Sequence, residues 1–293
     1  MPPLTALLPW TWALLLLLAL PAALIGLQGK LLFGRTWVIR RTDPGPAAAR
    51  RRNEAVWLDR PGGVRLQGWL TQPVDAPQPS RLLLWFGGRN EHVAWTPDLA
   101  GWLPDDCALL AFNYRSLGES GGWPSEAACV ADAQAAAAWG LARLGLPSTA
   151  LHLAGRSLGT GVAMQLAARL AAAGRPVASV ALITPLKSLR AVLRRNLLLA
   201  PLTPWLRSPL DSVAAATAVK GADVLVLLAE QDRQVPHAHS HTLVQALQRA
   251  GAAVTVHQLA GTDHRSLART PAAMRQLGGW LLEPRFRHSA ERC

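Results

Sequence analysis

Residues 151–161 read LHLAGRSLGTG, and this stretch decides the fold of the chain. It contains a G-x-S-x-G pattern in which Ser157 lies between Gly155 and Gly159. An apolar run typical of a strand precedes the pattern, and a long segment rich in alanine and leucine, typical of a helix, follows it. A serine on such a strand-to-helix turn holds its hydroxyl clear of the sheet, as in a nucleophile elbow. The glycines suit this turn because a Cβ at either position would crowd the neighbouring strand and helix.

The composition suits one large domain of helices and strands, or two small ones. The chain has 293 residues, of which 50% are hydrophobic, so a sizeable core can form. Its three cysteines, Cys107, Cys129 and Cys293, are far apart, which predicts neither a disulfide framework nor a zinc site. Cys107 and Cys129 lie in apolar runs, and we expect them to be buried structural thiols.

Residues 4–27 carry no charged side chain and predict an uncleaved membrane anchor. As a helix this stretch would span about 36 Å, enough to cross a bilayer with some tilt. Pro9 and Pro21 lie near its ends, and Trp10 and Trp12 suit the membrane interface. A cleaved signal peptide is the competing interpretation, but this segment begins without the Lys or Arg of such peptides, and Pro21 interrupts its small residues.

The net charge of +12 is concentrated directly after this segment. Residues 30–53 hold seven Lys or Arg residues and one acid, Asp43. A basic run beside an apolar segment is typical of a membrane surface rather than a nucleic-acid site, and the positive-inside rule then places the following domain in the cytoplasm. We therefore predict a transmembrane anchor at 1–29, a basic linker at 30–53 and a globular domain at 54–285, with membrane lipids but no nucleic acid as partners.

The globular part alternates apolar strands with helical segments. Two strand-like stretches flank the turn signal at residues 60–63 and predict a β-hairpin. The run RLLLWF at 81–86 is continuously apolar, as in a strand buried on both faces, and similar runs follow it. A mostly parallel sheet with helices on both faces is therefore predicted. The predicted strands are 55–58, 64–70, 81–86, 107–112, 150–154, 177–183, 224–229 and 254–258, and the predicted helices are 92–103, 124–144, 158–173, 189–199, 239–250 and 271–282.

Residues 186–220 interrupt this alternation. They contain a helix rich in Leu and Arg and then Pro201, Pro204 and Pro209. Since the preceding strand should end at the same sheet edge as the nucleophile, the insertion is a candidate cap over a substrate site. An ordinary crossover connection is the other interpretation.

A serine nucleophile needs a base, an acid that orients the base, and donors for an oxyanion. In hydrolases of this arrangement the chain order is serine, acid, histidine. Asp232 and His264 each follow a predicted strand, so they lie at carboxyl ends of strands, where such sheets place active groups. We predict Asp232 as the acid and His264 as the base. The lower-ranked candidates for the acid are Glu230, Asp211 and Asp223.

Two backbone N–H groups are the expected oxyanion donors. One belongs to Leu158, the residue after the nucleophile, and the other to the loop after the strand at 81–86. Glycines in that loop let the backbone approach a ligand closely, so we predict Gly88 as the second donor, with Gly87 or Arg89 as alternatives.

The histidines at 237, 239 and 241 form a sequence cluster. His237 and His241 would share one helix face and offer two metal ligands. No acid or cysteine is placed to complete such a site, so a solvated helix start is predicted, with no metal and no cofactor.

Several motifs in order resemble the α/β-hydrolase superfamily, and more narrowly its membrane-anchored members with serine aminopeptidase S33-like domains, the ABHD-type hydrolases. NYRSLGESGGWPSE at 113–126, followed by Asp132, resembles that group's Y-R-G-x-G-x-S-x-G-x-P-[ST]-E block. GRSLGTGVA at 155–163, EQDRQVP at 230–236 and GTDHRSL at 261–267 resemble its nucleophile, acid and histidine loops. The chain departs from this group at Phe86-Gly87, where the group has His-Gly, and at Ser116, where it has glycine.

The resemblance implies an α/β-hydrolase fold with Ser157 as nucleophile, Asp232 as acid and His264 as base. It also implies hydrolysis of a carboxylic ester, thioester or amide through an acyl-enzyme. Our first hypothesis is an ester or thioester substrate with a small-molecule or lipid-derived acyl group. A serine peptidase or amidase of the S33 type is the alternative, against which the basic cap residues argue mildly. A non-catalytic binding protein of the same fold is the third hypothesis.

Overall fold

The computed structural model describes residues 19, 23, 26–34, 50–74, 78–196 and 199–283. The predicted anchor at 4–27 lies outside these residues apart from positions 19, 23, 26 and 27, and residues 35–49 of the predicted linker lie outside them too. In the part of the chain that is described, no helix has the length and apolar character needed to cross a bilayer. Residues 26–33 are helical and are named α1.

Eight strands form one sheet. They are β1 (Arg51–Arg60), β2 (Val64–Pro73), β3 (Arg81–Phe86), β4 (Cys107–Phe112), β5 (Leu151–Arg156), β6 (Ser179–Ile183), β7 (Asp223–Gln231) and β8 (Ala253–Asp263). Their order in the sheet is β1-β2-β4-β3-β5-β6-β7-β8. β2 pairs antiparallel with β1 and with β4, and all other neighbours are parallel. The mostly parallel sheet and the hairpin are therefore confirmed.

The four long helices begin and end close to their predicted bounds. Ser125 precedes the helix Glu126–Leu144, and its hydroxyl accepts the Ala128 N–H at 3.1 Å. Pro124 consequently lies before the cap and outside the helix, whereas the sequence predicted it in the first turn. The helices after α1 are α2 (Thr96–Ala100), α3 (Glu126–Leu144), α4 (Leu158–Ala172), α5 (Leu189–Leu193), α6 (Ser212–Ala216), α7 (His237–Arg249) and α8 (Pro271–Leu282).

Two predicted helices are shorter than expected. The one at 92–103 is a 3₁₀ turn followed by the five residues of α2. The one at 189–199 ends at Leu193, and a 3₁₀ helix follows at Ala200–Trp205. Pro201 and Pro204 lie in that second segment, where they lack the N–H that a continuing α-helix requires.

The sheet is covered on both faces. Alternate residues of β3 point to opposite sides, as the two-residue period of a strand requires. Leu82 packs in the core that includes α3, α4 and α7, whereas Leu83 packs in the core that includes α2 and α8. Cys107 and Cys129 are buried as expected, and burial raises the pKa of the Cys107 thiol to about 12.

Arg51 belongs to the globular domain and not to the linker, because β1 begins at this residue. Its side chain is buried. The guanidinium donates to the carbonyl oxygens of Leu103, Pro104 and Cys107 at 2.9, 2.9 and 2.7 Å. These bonds satisfy carbonyls in the segment between α2 and β4, so this arginine is not available to a membrane surface.

Asp132 on α3 connects the hairpin to the segment after β4. Its carboxylate accepts Nε of Arg60 at 2.9 Å and two nitrogens of Arg115 at 2.7 and 2.9 Å. The side chain of Asp132 is 8% exposed, and those of its two partners are 17% and 16% exposed. Removing it would leave two poorly solvated guanidinium groups without a counter-charge.

We expect Asp132→Ala to lower the free energy of unfolding by about 3 kcal/mol, as for a buried ion pair that loses one partner. Asp59→Ala is the matched control, because Asp59 pairs with Arg65 on the surface, where the two side chains are 84% and 59% exposed. The control should cost less than about 1 kcal/mol. Urea unfolding measures both, and equal losses would contradict the structural role of Asp132.

Candidate active site

Ser157 occupies the turn between β5 and α4 in a conformation that residues other than glycine rarely adopt. Its φ and ψ angles are 51° and −117°. A hydrogen bond of 2.9 Å from its N–H to the Ile183 carbonyl ties the turn to β6. A Cβ at Gly155 would overlap the Gly159 carbonyl, and a Cβ at Gly159 would overlap two carbonyls at the end of β3. The two glycines of the pattern therefore allow α4 to begin directly against the sheet.

Three side chains beyond the ends of β5, β7 and β8 form a continuous hydrogen-bonded chain. The Ser157 hydroxyl lies 2.8 Å from Nε2 of His264, and Nδ1 of His264 lies 2.8 Å from Oδ2 of Asp232. The imidazole and the carboxylate are 7% and 3% exposed, so water competes little for these bonds. The other carboxylate oxygen accepts the N–H groups of Gln234 and Val235 at 3.0 and 2.8 Å, which orients it. The structure brings together the three residues predicted from chain order.

The lower-ranked acids have other roles. Glu230, near the end of β7, accepts the N–H of Gly261, near the end of β8, at 2.8 Å, which connects these two strands. Asp211 caps α6 through its side chain. Asp223 begins β7 and therefore lies at the opposite edge of the sheet. Asp232 is accordingly the carboxylate that the imidazole meets.

The backbone N–H groups of the two predicted oxyanion donors have different surroundings in the structure. Leu158 begins α4, so its N–H has no acceptor within the helix, and it lines the same pocket as Ser157. The N–H of Gly88 instead donates to the Glu91 carboxylate at 2.6 Å. Contrary to the prediction, Gly88 is therefore not free to bind an oxyanion in this conformation. Arg89, an alternative donor, lines the pocket with Ser157.

Arg156, in the variable position of the G-x-S-x-G pattern, makes contacts that the sequence reasoning missed. Its guanidinium donates to Glu91 at 2.6 Å and to the carbonyl oxygens of His264 and Arg265, each at 3.2 Å. Glu91 is 4% exposed at its side chain and also accepts the indole N–H of Trp95 at 2.8 Å. The Arg156–Glu91 pair joins the loop after β3, the turn at Ser157 and the loop that holds His264. Two features of the sequence could have indicated this pair. One is the charged residue directly before Ser157, and the other is the acid that follows the two glycines after β3.

A pocket of about 360 Å³ opens beside Ser157 and His264. This volume lies within the range of small-molecule sites, about 300–1,000 Å³. Its wall comes mainly from α1 and from residues 186–206, and most of it is apolar. Among the described lining residues there is no Asp or Glu, and Arg89 is the one Lys or Arg. The contribution of residues 186–206 supports a cap rather than an ordinary crossover connection.

The three histidines at the start of α7 have different surroundings. Nε2 of His237 lies 2.6 Å from the Ala229 carbonyl, and its ring meets that of His241 edge to face, with 6.2 Å between centroids. His239 is buried, and burial lowers its pKa, so the predicted solvated helix start is wrong for this residue. Over the described ranges, no three His, Cys, Asp or Glu side chains are grouped as a metal site.

Comparison with known proteins finds partial relatives in sequence. No family model matches the chain. It is 31% identical over 185 residues to an uncharacterized protein of Mycobacterium tuberculosis, with 63% of each chain covered. It is 38% identical over 82 residues to a lysophosphatidylserine lipase of Danio rerio, covering 28% of this chain and 21% of that protein. The chain therefore spans only part of the length of the curated relatives that it matches.

Solved structures resemble the chain over most of its length. An alpha-beta hydrolase from Vibrio vulnificus has a TM-score of 0.60 at 21% identity, with 78% of each chain covered. A thermostable esterase from Pseudomonas putida has a TM-score of 0.58 at 19% identity, covering 80% of this chain and 83% of the esterase. The predicted α/β-hydrolase fold is thereby confirmed.

We expect Arg156→Lys to slow the reaction of Ser157 with a fluorophosphonate by about 10- to 100-fold. Lysine keeps a positive charge beside Glu91 but lacks the planar fork that also holds the histidine loop, and a displaced base costs reactivity on this scale. Arg169→Lys, at an exposed arginine of α4, is the matched control. Wild-type labelling rates in both variants would show that the fork does not position His264.

Proposed function

We propose that this chain, which has the fold of the α/β hydrolases, is a serine hydrolase that cleaves carboxylic esters or thioesters. The observation that carries the proposal is the hydrogen-bonded chain from Ser157 through His264 to Asp232. A hydroxyl within reach of a base, and a base oriented by a buried acid, is the geometry that an activated serine requires. The esterase of the same fold adds support.

The proposed reaction has two halves. As the Ser157 oxygen attacks the carbonyl carbon, Nε2 of His264 accepts the hydroxyl proton, and Asp232 stabilises the imidazolium that results. The tetrahedral intermediate collapses when the same nitrogen gives the proton to the departing alcohol or thiol, which leaves the acyl group on Ser157. Water then attacks this acyl group with His264 again as the base, which releases the carboxylic acid and the free serine.

The negative oxygen of the intermediate needs backbone donors. In the proposal the Leu158 N–H is the first donor. The second comes from the loop after β3 by one of two routes: Glu91 releases the N–H of Gly88 when substrate arrives, or Arg89 donates its own N–H without that release. Each such donor typically contributes about 10²–10³ in kcat.

The charge of the pocket favours esters or thioesters over the substrates of an S33-type peptidase or amidase. A free amino group needs a carboxylate partner when it is removed from water. The described lining residues offer none, and Arg89 adds positive charge. The pocket therefore suits a neutral or anionic acyl group.

The conformation of Ser157 argues against a non-catalytic binding protein. A positive φ at a residue other than glycine costs about 1–3 kcal/mol and persists mainly at functional sites. A module that only binds its ligand would gain nothing from a strained serine in contact with a base. The strain instead supports a nucleophile that is held ready to react.

We also propose that residues 4–27 anchor the domain in a membrane, on its cytoplasmic side, from their hydropathy and the basic residues that follow. We expect the full chain to stay with membranes after an alkaline wash, because a spanning helix resists extraction. A variant without residues 1–25 should be released. Extraction of the full chain by the wash would contradict the anchor.

A fluorophosphonate probe tests the nucleophile. Wild-type protein should be labelled and Ser157→Ala should not, because the probe reacts with an activated serine. Ser148→Ala, at a half-buried serine just before β5, is the matched control and should be labelled normally. If the wild type fails to react under conditions that label a known serine hydrolase, the proposal loses its main support.

Turnover tests the acid and the base. Asp232→Asn and His264→Ala should each lower kcat by about 10³–10⁶. Glu230→Gln, two residues before Asp232 at the end of β7, should keep near-normal turnover. Esters, thioesters and aminoacyl amides are the substrates to compare, and preferential cleavage of the amides would favour the peptidase. Near-normal turnover in either of the first two variants removes that residue from its role.

A further inference from the structure

We propose that α1 forms a wall of the acyl pocket and sets the length of the acyl chain that the enzyme accepts. The inference rests on the proposed function, because it concerns the pocket beside Ser157. It goes further because α1 precedes the hydrolase domain and overlaps the end of the proposed anchor at residues 26 and 27. One segment then provides both the membrane tether and a surface that selects substrate.

Hydrogen bonds join α1 to both sides of the pocket. The side-chain carbonyl of Gln28 accepts the backbone N–H of Arg207, in the cap segment, at 2.8 Å. The backbone carbonyl of Leu31 accepts Nε of Arg89, in the loop after β3, at 3.0 Å. The helix therefore bridges the cap and the loop that supplies the oxyanion donor.

Packing fixes the position of α1 as well. Phe33 is fully buried, and its ring meets that of Tyr114 edge to face with 5.8 Å between centroids. Gly29 lies so close to the chain that a Cβ would overlap the backbone carbonyl of Pro124. The helix is held in one position by the close backbone contact at Gly29 and by the buried ring of Phe33 one turn later.

In this position α1 directs three side chains toward the pocket. Gln28, Leu31 and Leu32 line the same cavity as Ser157 and His264. Eight further lining residues belong to residues 186–206, and six of these eight are leucine or valine. An acyl group attached to Ser157 therefore extends into a space that α1 bounds.

The lining indicates an unbranched apolar acyl chain. Each methylene that an apolar wall removes from water should raise kcat/KM about fourfold until the chain fills the cavity. Trp205 and Leu199 line the pocket yet remain 59% and 38% exposed, so the pocket opens to solvent past apolar side chains. This opening suits a chain that arrives from a lipid surface beside the anchor.

Filling the pocket from α1 tests the inference. The substrates are the p-nitrophenyl esters of acetate, butyrate, octanoate, palmitate and benzoate. Leu31→Trp should lower the kcat/KM on octanoate and palmitate, relative to that on acetate, by more than about tenfold, since two methylenes that no longer fit cost this much. Leu27→Trp is the matched control, because Leu27 lies on the same helix but is 46% exposed and does not line the pocket. It should keep the wild-type profile.

The second test displaces α1 from its contact with Pro124. Gly29→Leu cannot fit against Pro124 and should abolish the preference for chain length while acetate is still hydrolysed. Gly26→Leu is its control, because a Cβ at Gly26 meets nothing within 4 Å. Acetate hydrolysis verifies that each variant is folded.

The outcomes separate the two proposals. If Ser157 is not labelled and no ester is cleaved, the proposed function fails. If esters are cleaved but Leu31→Trp and Gly29→Leu keep the wild-type chain-length profile, the function stands and the role of α1 is overturned. A wild-type preference for benzoate or acetate over octanoate would also overturn the acyl-chain assignment.

Discussion

The turn that holds Ser157 depends on the close approach of the α4 backbone to the backbone at the end of β3. α4 begins so near the end of β3 that no side chain fits at Gly159, and the turn before it holds Ser157 at a φ of 51°. Because the helix is fixed at this point, its first N–H groups and the serine hydroxyl lie at the carboxyl edge of the sheet. His264, the pocket and the loop after β3 are all arranged around this turn.

Parallel strands bring the partners of Ser157 to the same edge. β7 and β8 run in the direction of β5, so Asp232 and His264 emerge beside Ser157 although they are distant from it in sequence. β8 continues to Asp263, so His264 follows its last residue directly. The pairing of β7 with β8 shifts register after Ala229, and such irregularities commonly redirect a side chain next to an active site.

The loop after β3 is where several parts of the molecule meet. Through Glu91 it is joined to Arg156 and thus to the histidine loop, and through Arg89 it is joined to α1. Glu91 is nearly excluded from water, so its three donors replace the solvation that it has lost. The same carboxylate accepts the N–H of Gly88, so the backbone of the loop after β3 and the Glu91–Arg156 ion pair belong to one network.

By itself, the sequence determined the order of strands and helices and the candidates Ser157, Asp232 and His264, because apolar periodicity, turn glycines and chain order are local properties. Only the tertiary structure decided that Gly88 donates to a side chain, that Arg51 is buried and that Gln28, Leu31 and Leu32 line the pocket. Each of these contacts depends on how distant segments pack. The sequence shows which polar groups each residue carries. The partner of a buried polar group depends instead on which donor or acceptor the fold brings within reach.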